Sequence, residues 1–357
     1  MKNEQPAPLA GIACCEQVPD YHPPVAGGAG ALRPGDILDD RFVITEVISR
    51  SGMALIFRAQ DLHDRNADVA VKMPHAERPA DPAVLTRFQR EEEIGLGLNH
   101  PFILKFIPIT TSKSRPYLVT EYLRGCTLAH LLEAMSPLPE NDALKIGSLV
   151  GQALHYLHRK GVTHCDLNPN NIMVGCDGTI RLLDFGLARS FGSPRLDSRG
   201  PALAMGTPDY MAPEQIQGGR VDARTDLYCL GALLYEMLAG RPPFEGDCPL
   251  AVMNARLVSD PAPLRTLNPA VSPQAEEIVL HALEREPAKR HRSARSFCAE
   301  LDAPARAHLS RRGPRRGGAP EFRPHARRYR RLLLALALPL ALQVAAALWL
   351  LLANHAW

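Results

Sequence analysis

The sequence lacks cysteine pairs separated by two residues, and this absence restricts the metal-binding domains it can contain. Eight cysteines occur among 357 residues, and no two of them enclose a gap of two residues. A zinc ribbon needs such pairs, so a domain of that class is not expected. The scattered cysteines instead predict free thiols in a reducing compartment.

The N-terminal region lacks both an apolar signal segment and a hydrophobic period. Cys14 and Cys15 follow a short apolar stretch, Leu9-Ala10-Gly11-Ile12-Ala13, that loosely resembles a lipoprotein cleavage site. No apolar h-region precedes them, which argues against a secretory signal. Residues 1–34 are rich in proline, glycine and alanine, and we predict a disordered tail.

Acidic residues are scarce in one stretch near the C-terminal end. Residues 306–331 contain ten arginines and a single acid, Glu321. The rest of the chain has 31 basic and 37 acidic residues, so the bulk of the protein is mildly acidic. Nucleic-acid-binding proteins can carry such a basic stretch, but the segment that follows it favours a membrane, and no nucleic-acid partner is expected.

Charge is absent from Leu332 to Leu352, a run of 21 residues. At about 1.5 Å per residue, a helix of this length spans roughly 30 Å, the thickness of a bilayer's hydrocarbon core. A buried core helix is the alternative, although such helices are rarely this long and apolar on every face. The arginines just before the run predict that this side is cytoplasmic. The pattern therefore predicts a single-pass C-terminal anchor.

Strand patterns come first along the chain and helical patterns follow. Short apolar runs predict strands at 41–44, 55–57, 69–72 and 117–119, with a turn at Ser51-Gly52. Apolar residues at helical spacing predict helices over 85–98, 143–159 and 225–239. Strands followed by helices indicate an α+β architecture with two lobes rather than a repeating βα unit. The high hydrophobic content, 46%, supports a sizeable core.

Four short motifs occur in a fixed order along this region. They are Val69-Ala70-Val71-Lys72, the run His164 to Asn171, Asp184-Phe185-Gly186, and Met211-Ala212-Pro213-Glu214. Together they resemble the signature of protein kinases, especially the bacterial eukaryotic-like (Hanks-type) serine/threonine kinases. The resemblance extends from about Arg41 to Leu301 and implies a small β-rich N-lobe with a larger helical C-lobe.

The resemblance also implies catalytic roles for individual residues. Phosphoryl transfer depends on positioning and on neutralising phosphate charge. Lys72 matches the lysine that reaches the nucleotide phosphates, and Glu91 matches the glutamate that holds it, although Glu92 and Glu93 are adjacent. Asp166 matches the carboxylate that accepts the substrate's proton. Asn168 stands where the family has a lysine that contacts the γ-phosphate.

A nucleotide and a metal ion are implied in the same way. The expected cofactors are ATP and Mg²⁺, or Mn²⁺, with the metal held by Asn171 and Asp184. The hinge that would hold adenine is matched by Glu121-Tyr122-Leu123, preceded by Thr120. The residues expected to contact the nucleotide are Ile48, Ser49, Ser51, Gly52, Ala54, Ile56, Ala70, Lys72, Glu121 and Leu123.

Two sets of residues depart from the family's pattern. Ser49, Ser51 and Ala54 replace glycines that allow the backbone close to phosphate, and Cys165 replaces the arginine that binds a phosphorylated activation segment. With Asn168 in place of the lysine, these changes leave open a weak kinase or a pseudokinase that acts as a nucleotide-binding membrane scaffold. A third hypothesis is a small-molecule phosphotransferase of related fold, but the Met211 to Glu214 motif argues against it.

Scaffold roles and regulation follow from the same resemblance. Glu214 is expected to pair with Arg290, and Asp226 to brace the catalytic loop. Because Cys165 offers no cationic partner for a phosphate, we expect activation without a phosphorylated activation segment. Protein substrates carrying serine or threonine are the expected partners, and a homodimer is compatible with the resemblance.

The expected organisation has five parts, and the expected location is a bacterial inner membrane with the kinase domain in the cytoplasm. The parts are the tail at 1–34, a kinase domain at 35–302, an arginine-, proline- and glycine-rich juxtamembrane linker at 303–331, a transmembrane helix at 332–352 and a short external tail at 353–357.

Overall fold

The described part of the chain has a β-rich lobe followed by a helical lobe. A computed structural model describes residues 32–50, 54–74, 82–190 and 208–306. The expected two-lobed α+β fold is confirmed within these residues. The predicted turn at Ser51-Gly52, most of the N-terminal tail, nearly all of the linker and the apolar run from 332 to 352 lie outside them.

The N-lobe is built on one antiparallel sheet. Its five strands follow chain order, β1-β2-β3-β4-β5. Alternate residues of the central strands face a small apolar core that includes Phe42, Phe57, Val71 and Tyr117, as a period of two requires. The strands are β1 (Ile37–Leu38), β2 (Phe42–Arg50), β3 (Ala54–Asp61), β4 (Ala67–Pro74) and β5 (Leu118–Glu121).

One helix, α1 (Pro82–Leu96), belongs to the N-lobe, and the other helices build the C-lobe. The helix α5 is buried along nearly its whole length, which explains why its sequence is apolar on most faces. The C-lobe helices are α2 (Leu128–Met135), α3 (Glu140–Arg159), α4 (Pro213–Ile216), α5 (Ala223–Ala239), α6 (Pro249–Val258), α7 (Leu264–Leu267), α8 (Pro273–Ala282) and α9 (Ala294–Asp302).

Two glycines allow α3 to pack closely against its neighbours. A Cβ atom at Gly147 would lie 2.7 Å from a methyl group of Leu234 in α5. A Cβ atom at Gly151 would lie 2.5 Å from the sulfur of Cys298 in α9. Both distances are too short for real contacts, so larger residues would force the helices apart.

Short strands and 3-10 helices connect the large elements. The strands β6 (Gly125–Thr127), β8 (Ile172–Gly175) and β9 (Ile180–Leu182) form one small sheet, and β7 (Val162–Thr163) pairs with β10 (Arg189–Ser190). The 3-10 helices are Pro169–Asn171, Pro287–Lys289 and Pro304–Arg306. These small sheets hold the loop from His164 to Asn171 between β7 and β8.

The predicted strands and helices are confirmed, with small shifts at their ends. The strand predicted at 41–44 extends to Arg50, and the helix predicted at 143–159 begins earlier, at Glu140. The expectation of free thiols is wrong for two cysteines. Cys126 and Cys176 are disulfide-bonded, whereas four described cysteines are free: Cys165, Cys229, Cys248 and Cys298.

The described residues contain no helix that is both long and apolar enough to cross a membrane. The anchor predicted at 332–352 lies outside the described residues.

The fold also buries a charged pair that holds the start of α4. Arg290 donates from both terminal nitrogens to the two oxygens of Glu214, at 2.8 Å each. The Arg290 side chain is fully buried. Its remaining donors reach the backbone oxygens of Glu284, Arg285 and Arg224. The expected pair is confirmed, and its burial makes removal of one partner costly.

We predict that Arg290→Met lowers the free energy of unfolding by about 3–5 kcal/mol, because it leaves the Glu214 carboxylate buried without a counter-charge. The matching fall in Tm, measured by calorimetry, is at least about 6 °C. The control is Arg285→Met, which breaks a part-exposed pair with Asp260 and should cost less than about 1 kcal/mol. Equal losses in the two variants would contradict this account.

Candidate active site

The register of the N-lobe sheet places the predicted lysine on the face opposite the apolar core. Lys72 lies in β4, directly across from Ile56 in β3 and Leu118 in β5. Ala70 is two residues earlier in β4 and pairs with Thr120. Since residues two apart share a face of a strand, Ile56, Ala70 and Lys72 line one surface.

The helix α1 brings a carboxylate to this lysine. The Lys72 Nζ lies 2.8 Å from both side-chain oxygens of Glu91 and 3.1 Å from Oδ2 of Asp184. Glu91 is 5% exposed. The adjacent Glu92 pairs instead with Lys113, so the geometry selects Glu91 from three consecutive glutamates. Three distant segments therefore meet at one ammonium group.

The charges in this cluster determine one another's protonation. Burial lowers the pKa of Lys72, but the carboxylates of Asp184 and Glu91 outweigh it, and the net pKa is raised. Burial, together with the nearby Asp184, raises the pKa of Glu91 to about 7. Burial also opposes ionisation of Asp184, yet Lys72 and the Gly186 N–H keep its pKa below the usual value. Lys72 is therefore charged and Asp184 ionised at neutral pH.

The loop that carries Asp166 is held by a carboxylate from α5. Asp226 is fully buried and accepts hydrogen bonds from the backbone N–H groups of His164 and Cys165, each at 2.9 Å. Cys165 adopts φ of 66°, a left-handed conformation that costs energy for a non-glycine residue. The brace expected from Asp226 is confirmed, and it holds the strained residue in place.

Asp166 is set among neutral donors. The side-chain amide of Asn171 donates to the Asp166 carboxylate at 3.2 Å and to its backbone oxygen at 2.8 Å. Burial raises the pKa of Asp166 to about 6, and repulsion from Asp184 adds to it, while His164 and the two asparagine amides oppose the rise. The carboxylate is thus ionised at neutral pH but close to its titration range.

Asn168 has local partners in this loop. It is 3% exposed, and its amide donates to the carboxylate and the backbone oxygen of Asp166, at 3.3 and 3.2 Å. Its side-chain oxygen accepts from the N–H of Asn170 and caps the 3-10 helix. Asn168, the residue in the lysine position, therefore supports the loop as well as contacting the Asp166 carboxylate.

Asp184 and Asn171 fit the requirements of a divalent metal. Both amide hydrogens of Asn171 are directed to oxygens of Asp166, which leaves its side-chain oxygen free to act as a ligand. Asp184 adopts φ of 56° and accepts from the Gly186 N–H at 2.9 Å. An amide oxygen and an ionised carboxylate are ligands that Mg²⁺ and Mn²⁺ prefer.

The remaining nucleotide candidates lie along the same sheet face or at its end. Ser49 pairs across β3 with Ile56, next to an irregularity in β2, and Ala54 is buried at the start of β3. Glu121 ends β5, and its carboxylate accepts from the Lys105 N–H and from Arg181. The structure also describes Ile48 and Leu123, both half-buried, whereas Ser51 and Gly52 lie outside the described residues.

One contact between α4 and the loop from His164 to Asn171 could not be predicted from the sequence. The Gln215 amide donates to the backbone oxygen of Cys165 at 2.7 Å. Glu214 also accepts from the hydroxyl of Thr225 in α5. Because glutamine has no fixed family role in the motifs above, no pattern could have singled out Gln215.

The Cys165 thiol is unsuited to bind phosphate. It is 8% exposed and contacts the backbone oxygen of Thr163 at 3.6 Å. Burial and the nearby Asp226 raise its pKa far above that of a free thiol, so the group stays neutral. A neutral thiol gives a phosphate no cationic partner. Activation without a phosphorylated activation segment stays a prediction, because residues 191–207 lie outside the described part of the chain.

The two lobes and the charged cluster between them define the protein-kinase class of fold. The chain belongs to this family, because the family described as "Protein kinase domain" matches residues 45–300. This confirms the assignment drawn from the motifs.

The chain is similar to several bacterial serine/threonine kinases. It is 37% identical over 270 residues to a probable serine/threonine-protein kinase of Streptomyces coelicolor, covering 74% of this chain and 40% of that protein. It is 36% identical over 268 residues to the serine/threonine-protein kinase PknB of Mycolicibacterium smegmatis, covering 74% and 43%. A probable serine/threonine-protein kinase of Clostridium perfringens is 31% identical, with 75% and 39% covered. The chain thus matches about two fifths of each relative's length.

We predict that Asp166 titrates with an apparent pKa of about 6 in the free protein, because it is largely desolvated. The measurement is carboxyl NMR of aspartate-labelled protein, assigned with Asp166→Asn. Asn168→Lys should lower this pKa, because a cation beside a carboxylate favours its charged form. Asn170→Lys adds the same charge at an exposed position and should lower it less. A pKa near that of free aspartate would contradict the prediction.

Proposed function

We propose that this chain is an ATP-dependent protein kinase that transfers the γ-phosphate of ATP to serine or threonine hydroxyls of protein substrates. The observation that carries the proposal is the position of Lys72, bonded to both oxygens of Glu91 and 3.1 Å from Asp184. A half-buried ammonium held between two carboxyl groups is pre-organised to contact phosphate oxygens without rearrangement.

Each charged residue has a distinct part in this proposal. Lys72 contacts the phosphates, and Glu91 holds it in position. Asp166 takes the proton of the substrate hydroxyl, which requires its ionised form, and a base with a pKa of about 6 is mostly ionised at neutral pH. Asn168 and Asn171 orient this carboxylate through their amide groups.

Asp184 and the side-chain oxygen of Asn171 would hold Mg²⁺ or Mn²⁺, which when bound neutralises phosphate charge. The nucleotide's base and sugar would lie against Ile48, Ile56, Ala70 and the hinge at Glu121 and Leu123. Since the Glu121 side chain already has partners in Lys105 and Arg181, the backbone of the hinge is the part that would contact adenine.

A serine or threonine substrate is favoured by two observations. The segment from Gly206 to Glu214 resembles that of serine/threonine kinases more than that of tyrosine kinases. The curated relatives in Streptomyces coelicolor and Mycolicibacterium smegmatis are named as serine/threonine-protein kinases. We therefore also propose that the physiological substrates of this chain are proteins that accept the phosphate on serine or threonine.

We predict that Lys72→Met, Asp184→Ala and Asp166→Asn each lower transfer from labelled ATP to a generic protein substrate by about 10²-fold or more. Lys72→Met removes the phosphate contact, Asp184→Ala the metal ligand and Asp166→Asn the base. The control is Lys105→Met, which removes an exposed lysine and should leave the rate unchanged.

The wild-type rate sets the interpretation of these variants. If the wild-type protein binds ATP but shows no transfer above the Asp166→Asn background, the nucleotide-binding pseudokinase becomes the better account. If transfer occurs and the Lys72 and Asp184 variants keep the wild-type rate, the assignment of the site is wrong.

We also propose that the chain is anchored in the bacterial inner membrane through Leu332–Leu352, with the kinase domain in the cytoplasm. The support is the uncharged run itself and the four arginines just before it, Arg327, Arg328, Arg330 and Arg331. In this arrangement the arginine-, proline- and glycine-rich linker at 303–331 would keep the kinase domain near the bilayer surface.

We predict that the full chain sediments with membranes and that truncation after Pro324 moves it to the supernatant. A matched variant keeps the chain length and replaces Leu342 and Val344 by arginine, which costs about 2.5–3.5 kcal/mol per residue at the bilayer centre. It should also reduce sedimentation with membranes. Full-length protein that remains in a high-speed supernatant without detergent would rule out the anchor.

A further inference from the structure

Two histidines and a glutamate meet in the C-lobe, outside the residues given a role above. His281 lies in the last turn of α8, His291 precedes α9, and Glu300 lies within α9. Each offers a ligand atom, and these atoms all lie within 4.8 Å of one another. The rings of His281 and His291 have centroids 4.0 Å apart, tilted by 40°.

His291 is buried, and only one of its two ring nitrogens has a hydrogen-bond partner among the described residues. It is 3% exposed, and its ring stacks on Phe297 with centroids 4.4 Å apart. Its Nε2 lies 3.1 Å from Oε2 of Glu300, but its Nδ1 is buried without a hydrogen-bond partner in the described structure. Nε2 is the nitrogen next to Glu300, so an ion that joins the two residues would bind Nε2 and leave the proton on Nδ1, whose missing partner it does not supply.

We propose that His281, His291 and Glu300 bind one zinc-class divalent ion. Imidazole nitrogens and a carboxylate oxygen are ligands that suit Zn²⁺, with bonds of about 2.0–2.2 Å. Two such atoms on a tetrahedral ion are separated by roughly 3.3 Å, close to the 3.1 Å between His291 and Glu300. His281 offers its ligand atom within 4.8 Å of the other two, so it would move closer to complete the set, and water would take the fourth position.

The two imidazole ligands also determine which metal ions this site excludes. Mg²⁺ and Ca²⁺ prefer oxygen ligands, so a set with two histidines should discriminate against them. This separates the proposed site from Asp184 and Asn171, whose oxygens suit the metal that accompanies ATP. Zinc binding in the C-lobe and magnesium binding in the cleft can therefore be measured independently.

The position of the site gives the ion a structural consequence. His291 directly follows Arg290, whose side chain holds Glu214 and three backbone oxygens. An ion that joins α8 and α9 to this segment would restrict the backbone that carries Arg290. Zinc would thus stabilise the anchor of α4 and, through Gln215, its contact with the catalytic loop. A ligand that binds only the folded state raises stability by mass action.

The alternative is a cluster that holds no metal, in which His291 and Glu300 form an ion pair over the Phe297 ring. The experiment uses purified full-length protein stripped of metal with a chelator, then titrated with Zn²⁺ by calorimetry. We expect tight binding to the wild-type protein that His281→Gln and Glu300→Gln each weaken by at least about tenfold. At a hundredfold excess over the Kd, zinc should raise Tm by roughly 5 °C or more.

Two controls make the outcome decisive. The first is His63→Gln, which removes an exposed histidine in the turn after β3 and should bind zinc like the wild type. The second is Mg²⁺, which should not reproduce the rise in Tm that depends on His281. X-ray absorption of the zinc-loaded protein should show nitrogen and oxygen ligands without sulfur. Zinc affinity unchanged in both His281→Gln and Glu300→Gln, or a sulfur-coordinated ion, would overturn the proposal.

Discussion

The ion pair between Lys72 and Glu91 joins the N-lobe sheet to α1, and the geometry of the cleft depends on it. Because Glu91 is buried, its charged form depends on the ammonium group of Lys72, which lowers the carboxyl pKa that burial raises. Asp184 adds a second carboxylate within 3.1 Å of the same ammonium. The lysine thereby connects a strand, a helix and the loop after β9, and a displacement of any of them would separate the charges.

Below this cluster, buried charges hold the loops that have little secondary structure of their own. Asp226 uses one carboxylate to satisfy two backbone N–H groups next to a residue with a left-handed conformation. Arg290 satisfies Glu214 and three backbone oxygens at once. A short loop cannot bury enough apolar surface to fix its shape, so multiple hydrogen bonds from single charged side chains replace a core.

The order of strands and helices could be predicted because it depends on local periodicity. Strands at 69–72 and 117–119 and helices at 143–159 and 225–239 appear close to where alternation and helical spacing place them. The charged motifs also identified the family. Other features depend on packing between distant segments and left no local signal, such as the contact of Gln215 with the catalytic loop and the disulfide-bonded state of Cys126 and Cys176.

The sequence by itself determined the fold class, the family and the chemical types of the residues in the cleft. Only the tertiary structure decided which of three adjacent glutamates holds Lys72, because that choice depends on the rotation of α1 against the sheet. It also decided that Asn168 bonds within the loop, and that His281, His291 and Glu300 meet. Periodicity acts within one element, whereas these contacts join segments whose separation in space is fixed by packing of the whole core.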